Sequence, residues 1–149
     1  MPSKLNDPTR EITIVNVDDH PIFNRLWGKE GFVRVNEENL EEFKSAKGLV
    51  LIFFADNPTT FKETIDMAVI APEVAKVFQD HIAAKGFTDP AAIASRLGLT
   101  RLPAVGFYRD GEWLGGLQGL KNWNEYISGL AEIGGRTAPA RRTISIQAN

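Results

Sequence analysis

The chain has 149 residues, 43% of them hydrophobic and 24% charged, which is enough for one buried core and short for two. Its 17 basic and 19 acidic side chains give a net charge of −2, which draws neither nucleic acid nor an anionic membrane surface. It has no cysteine, so disulfides, thiolate zinc sites, iron–sulfur ligation and cysteine nucleophiles are excluded together.

The charge is uneven. Residues 1–80 carry 14 acidic against 9 basic side chains and residues 81–149 carry 5 against 8, so a basic partner is expected to prefer the first half. The longest apolar run, residues 49–55, is far short of the roughly 20 residues of a membrane span, and no basic segment leads into an apolar run of signal length. A cytoplasmic location is the expectation.

Residues 1–18 contain Pro2, Pro8 and the alternating run Glu11-Ile12-Thr13-Ile14-Val15-Asn16-Val17, readable as a short edge strand or an ordered arm. Asp19 is a candidate N-cap with Pro21 just inside, and Ile22, Phe23 and Leu26 recur at helical spacing until Gly28 and Gly31. Phe32-Val33-Arg34-Val35 alternates as a strand. Asn36 can then cap a helix with Leu40 and Phe43 on one face and Glu37, Glu38, Glu41 and Glu42 on the wet one.

The unbroken run Leu49-Val50-Leu51-Ile52-Phe53-Phe54-Ala55 is the pattern of a central strand covered on both faces, ending at Asp56-Asn57-Pro58. Residues 59–70 read as a loop with helical turns, because Thr59, Thr60, Thr64 and Val69 favour helix weakly. Pro72 suits a first helical position, followed by the apolar stripe Val74, Val77 and Phe78, with an end by His81. A strand is expected near residues 81–87. A helix then runs from Asp89-Pro90 through Ile93 and Leu97 to Gly98.

The segment from Gly98 to Trp113 contains Arg101-Leu102-Pro103-Ala104, an apolar strand and the turn pair Asp110-Gly111, a β-hairpin pattern. Leu120, Trp123, Ile127 and Leu130 supply the stripe of a closing helix, with Trp123 placed in the core. Past Gly134-Gly135 the tail carries Arg136, Arg141 and Arg142 and is expected to be mobile. The expected organisation is an arm over 1–18, one α/β domain over 19–133 and a tail over 134–149.

This order of elements resembles thioredoxin over roughly residues 32–133: a central mixed sheet flanked by helices, with an extra N-terminal segment. The resemblance rests on the Gly98-to-Trp113 block, similar to the cis-proline segment, strand and turn of that family. It rests also on Ile70-Ala71-Pro72, where the long helix bends, and on Phe53-Phe54-Ala55-Asp56, which leads into the active site there. Here the chain continues Asn57-Pro58-Thr59-Thr60. A threonine hydroxyl neither ionises near neutral pH nor forms a mixed disulfide, so redox exchange is excluded.

A closer resemblance is to the HyaE, HoxO and HupG group of hydrogenase expression proteins, thioredoxin-like and without the CxxC pair. It is carried by His20-Pro21-Ile22-Phe23-Asn24-Arg25-Leu26, the Phe32-to-Phe43 segment, Glu63-Thr64-Ile65-Asp66, Arg101-Leu102-Pro103-Ala104 and the stretch from Gly115 to Trp123. The resemblance implies a non-catalytic, cofactor-free chaperone of nickel–iron hydrogenase maturation. Its partners would be the small-subunit precursor and that subunit's twin-arginine signal peptide. The alternative is an adaptor joining hydrogenase accessory proteins without touching a signal peptide. Implied partner-binding positions are Asp56, Glu63, Asp66, Arg101, Pro103 and Trp113, with Pro72, Pro103 and Trp123 as structural positions.

Each position also has a plainer reading. Asp56, Glu63 and Asp66 suit the bidentate guanidinium geometry of paired arginines, or form a solvated acidic loop. Pro103, cis by resemblance, either shapes the start of a strand or also touches a partner. Trp113 is either core or half-buried, or else an exposed anchor on an edge strand. His20 and His81 lack ligand-spaced partners and read as structural, so no metal site is expected. An enzyme using Thr59 or Thr60 lacks a positioned base.

Overall fold

The computed structural model describes residues 14–59 and 62–136. Five strands form one mixed sheet in the order β1-β3-β2-β4-β5: β1 is Val33–Val35, β2 Leu49–Phe54, β3 Ile82–Thr88, β4 Ala104–Arg109 and β5 Glu112–Gln118. β3 runs parallel to both β1 and β2, while β4 is antiparallel to β2 and to β5. The helices are α1 (Pro21–Trp27), α2 (Leu40–Lys44), α3 (Lys62–Phe78), α4 (Ala91–Arg96) and α5 (Trp123–Gly134).

The alternation of β2 divides the core. Leu49, Leu51 and Phe53 face a layer made by α1, α3 and α5, where Phe23, Met67, Val74, Tyr126 and Leu130 are buried. Val50, Ile52 and Phe54 face α2 and α4, through Leu40, Phe43, Ile93 and Ala94. All six β2 residues are therefore buried, which is why the run shows no polar alternation.

Several local expectations change. His20, not Asp19, caps α1: its Nδ1 accepts the Ile22 amide at 3.2 Å, and Pro21 follows at the first helical position. Asn36 caps a turn instead of a helix, its Oδ1 accepting the amides of Glu38 and Asn39, so Glu37 and Glu38 precede the five-residue α2. The expected loop over 59–70 is from Lys62 onward the start of a 17-residue helix that carries Pro72 inside it. Burial of Thr64, Met67, Ala68 and Ala71 outweighs the weak propensities of that segment.

Of two tryptophans weighed from the sequence, one departs from expectation. Trp123 stands at the first position of α5, within the Asn122–Glu125 capping box, and is 46% exposed; the buried stripe of α5 is Tyr126, Leu130 and Ile133. Trp113 is half-buried: its ring meets Phe54 and Tyr108 at centroid distances of 5.6 and 5.1 Å and lies across Gly106 and Gly116. A Cβ at Gly106 would stand 2.3 Å from the Gly115 carbonyl oxygen and 2.5 Å from the Trp113 ring. Only glycine fits there.

The hairpin turn is as the Asp-Gly pair predicts, with φ of 51° at Asp110 and 86° at Gly111. Beyond α5, the Arg136 Nη1 donates to the Leu114 carbonyl at 3.0 Å on β5, while Glu132 accepts from Nε and Nη2 at 3.1 and 2.7 Å. Of the expected N-terminal strand, residues 11–13 lie outside the described residues, as do 137–149 of the tail. Val15 makes an isolated antiparallel bridge with Thr59, and Val17 is fully buried in the core.

Candidate functional site

β2, β3 and β4 bring three loops together at one pole of the sheet: residues 55–59 after β2, 89–90 after β3, and 99–103 before β4. Both Asn57-Pro58 and Leu102-Pro103 are cis, so the cis geometry expected at Pro103 is present and a second cis proline follows Asp56. Between these loops lies a groove of about 560 Å³, lined by Asp56, by Ala91 and Ser95 of α4, and by Leu99, Thr100, Arg101 and Leu102.

The loop before Pro103 is held from β5. Gln118 Oε1 accepts the amides of Thr100 at 2.7 Å and Arg101 at 2.9 Å, and the Pro103 carbonyl accepts the Gly119 amide at 2.8 Å. The Arg101 guanidinium lies over Gly119, its Nη2 2.9 Å from where a Cβ would be. Leu120 and Trp123, 37% and 46% exposed, follow directly. Leu99 and Leu102 supply the apolar lining of the groove, and neither Asp56 nor Arg101 is in an ion pair among the described residues.

The opposite flank is fixed by a polar chain. Asn57 Nδ2 donates to Asp89 Oδ2 at 2.9 Å, and its Oδ1 accepts the Val17 amide at 2.9 Å. Arg34 donates to the same Asp89 oxygen at 2.6 Å and to Asp18 Oδ1 at 2.5 Å. Burial pulls the Arg34 pKa down, but the hydrogen bonds and charges of Asp89 and Asp18 outweigh it and the value is raised. Val15 and Thr59 exchange backbone hydrogen bonds of 2.7 and 2.9 Å, which stitches residues 14–18 to the loop after β2.

Of the implied partner-binding positions, Asp56 and Arg101 line the groove, and buried Pro103 directly follows its Leu102. Glu63 and Asp66 stand in the first turns of α3 and do not line it; Glu63 is exposed and Asp66 half-buried. Trp113 packs on the α2–α4 face of the sheet with Phe54 and Tyr108, so it is no exposed anchor. Pro72, inside α3, lines a cavity against α1 with Ile22, Leu26 and Val69. Sequence reasoning missed Gln118, Leu120 and Asn57. The signals for Leu120 were its place before the Asn122 cap and its failure to share the Tyr126–Leu130–Ile133 spacing.

Thiol chemistry has no atom to run on here, since the loop after β2 reads Asp56-Asn57-Pro58-Thr59. Among the described residues, no group of three His, Asp or Glu is placed to hold a metal ion, and no helix is long and apolar enough to cross a membrane.

These features define a thioredoxin-like domain without thiols. Solved structures agree: a thioredoxin from Halobacterium salinarum aligns at TM-score 0.55 and 18% identity, over 71% of this chain and 91% of its own. A chain from a study of thiol resolution in yeast mitochondrial 1-Cys peroxiredoxin aligns at 0.56 and 15%, over 68% and 95%. The chain belongs to the family described as hydrogenase-1 expression protein HyaE, whose profile matches residues 22–126. It is 28% identical to the hydrogenase expression/formation protein HoxO of Cupriavidus necator, over 72% of this chain and 69% of that protein. It is 30% identical to HupG of Rhodobacter capsulatus, of the same description, over 76% and 85%.

Proposed function

We propose that this protein acts in hydrogenase maturation as a non-catalytic, cytoplasmic chaperone that binds the small-subunit precursor and its twin-arginine signal peptide. The family and its relatives' names support the maturation role. One observation carries the binding role: the groove at the cis-Pro103 pole joins Asp56, a carboxylate in no ion pair among the described residues, to the apolar side chains of Leu99 and Leu102, and exposed Leu120 and Trp123 follow β5 in the chain. A signal peptide offers the complement, guanidinium groups next to an apolar run. A planar guanidinium engages a carboxylate bidentately, and the apolar run gains from leaving water. Glu63 and Asp66 add negative charge on α3.

The test is titration of the purified chain with a hydrogenase small-subunit signal peptide, a twin-lysine version and a scrambled peptide of equal charge. Saturable binding that weakens with both controls, and with Asp56→Lys, is the expected result. No binding by the folded chain overturns the reading and favours the adaptor. That second reading has an observation of its own, a separate open surface at the other pole of the sheet.

A further inference from the structure

β3 is seven residues long, yet β1 pairs only with Gly86, Phe87 and Thr88. Residues 82–85 run beside β2, with Ala83 skipped between the Leu49–Ile82 and Val50–Ala84 pairs, and have no strand on their other side among the described residues; Gly31, at φ 73°, turns the chain just before β1. Beside this half-strand lies a groove of about 360 Å³ lined by Gly31, Val33, Gln79 and residues 82–85. It is at the opposite end of the strands from Asp56, because Ile82 pairs with Leu49 at the start of β2.

We propose that this half-strand is a strand-addition site for an extended, apolar segment of a partner protein carrying an acidic side chain. Main-chain groups along an open edge supply affinity, and the flanking side chains supply preference. Ala83 and Ala84 are small enough to let a strand approach, and Val33 is 41% exposed at the end of the groove. Lys85 is the one charged residue in the lining; it is in no ion pair among the described residues, and its Nζ sits 5.1 Å over the Phe32 ring. That charge selects an acidic neighbour. Four residues of strand span about 13 Å, which buries far less than the roughly 800 Å² per partner of a stable dimer. An extended segment fits this edge better than a second folded copy.

The site does not depend on the signal-peptide reading, so its test uses a different ligand. The full chain, labelled for amide NMR, is titrated to millimolar concentration with the capped peptide Thr-Val-Glu-Val-Thr-Val and with its Glu-to-Lys counterpart. The expected result is saturable shifts at Val33 and residues 82–86, with the acidic peptide preferred. Lys85→Glu, folded by circular dichroism, should bind the acidic peptide about fivefold more weakly and reverse the preference. Shifts confined to the Asp56–Arg101 groove, no shifts at all, or indifference to Lys85→Glu would overturn the proposal. So would concentration-dependent shifts at the same amides without peptide, which would make a second copy the occupant.

Discussion

Arg34 and Asp89 tie the first strand of the sheet to the loop after the third, Nη2 lying 2.6 Å from Oδ2 of a carboxylate that is almost wholly buried. Asn57 hydrogen-bonds the same oxygen, so β1, the end of β3 and the loop after β2 share one acceptor.

Removing the cation leaves that carboxylate buried with a single amide partner. Arg34→Ala should cost about 2 kcal/mol in urea unfolding, less than for a fully buried pair because Arg34 is partly exposed. Hydrogen exchange at the Val17 amide, whose acceptor is Asn57, should accelerate in the same variant. Unchanged protection would separate the arm from the pair.

Gln118 positions the loop before Pro103 without reaching the groove's charges. Gln118→Ala should cost about 1 kcal/mol of stability, while lowering signal-peptide affinity by loosening the Thr100–Leu102 wall of the groove. Gln118→Glu keeps the accepting oxygen and should retain most of the binding. A calorimetric comparison of the two variants distinguishes positioning from general destabilisation.

Trp113 and Trp123 should respond oppositely. Trp113→Ala empties a site packed by Phe54 and Tyr108 and should cost about 3 kcal/mol, whereas Trp123→Ala at an exposed site should change stability by less than about 0.5 kcal/mol. Its effect should appear in peptide affinity, a loss of about tenfold if it anchors the apolar run. Thermal melts and titrations of both variants check the pair.

Tyr108 sets the alkaline limit. Burial pushes its phenol up to about 12, Glu41 adding to the shift and Arg96 opposing it. The folded chain therefore resists ionisation while the unfolded chain ionises near its ordinary value of 10. The stabilisation is complete below pH 10 and is lost as the pH rises toward 12, on the order of 2 kcal/mol in total. Urea midpoints across that window should fall more steeply for the parent than for Tyr108→Phe.

Much of this architecture was legible because its signals are local. The doubly buried β2 run, the Asp110-Gly111 turn and the proline before β4 each announce their geometry in a few residues. The helix α3 was not legible from Lys62 to Ile70, because its stability comes from layers brought by α1 and α5. Trp123 misled for a related reason. Its spacing fits an apolar stripe with Ile127 and Leu130, but the Asn122 cap starts the helix with that residue outside the packed face. At the candidate site, Asp56, Arg101 and Pro103 flank recognisable turns, whereas Gln118 acts across the hairpin and carries no pattern of its own.

The clasp of Arg136 on the Leu114 carbonyl has a consequence for assembly. It blunts the outer side of β5 beside the irregular register of the β4–β5 pair, while the first half of β3 stays open. Sheet-wise polymerisation needs two competent edges per subunit, one to accept a strand and one to offer the next. A strand added along β5 therefore has to displace Arg136 from Leu114, whereas one added along the first half of β3 displaces no such clasp, so the two edges are unequal partners in any sheet-wise assembly.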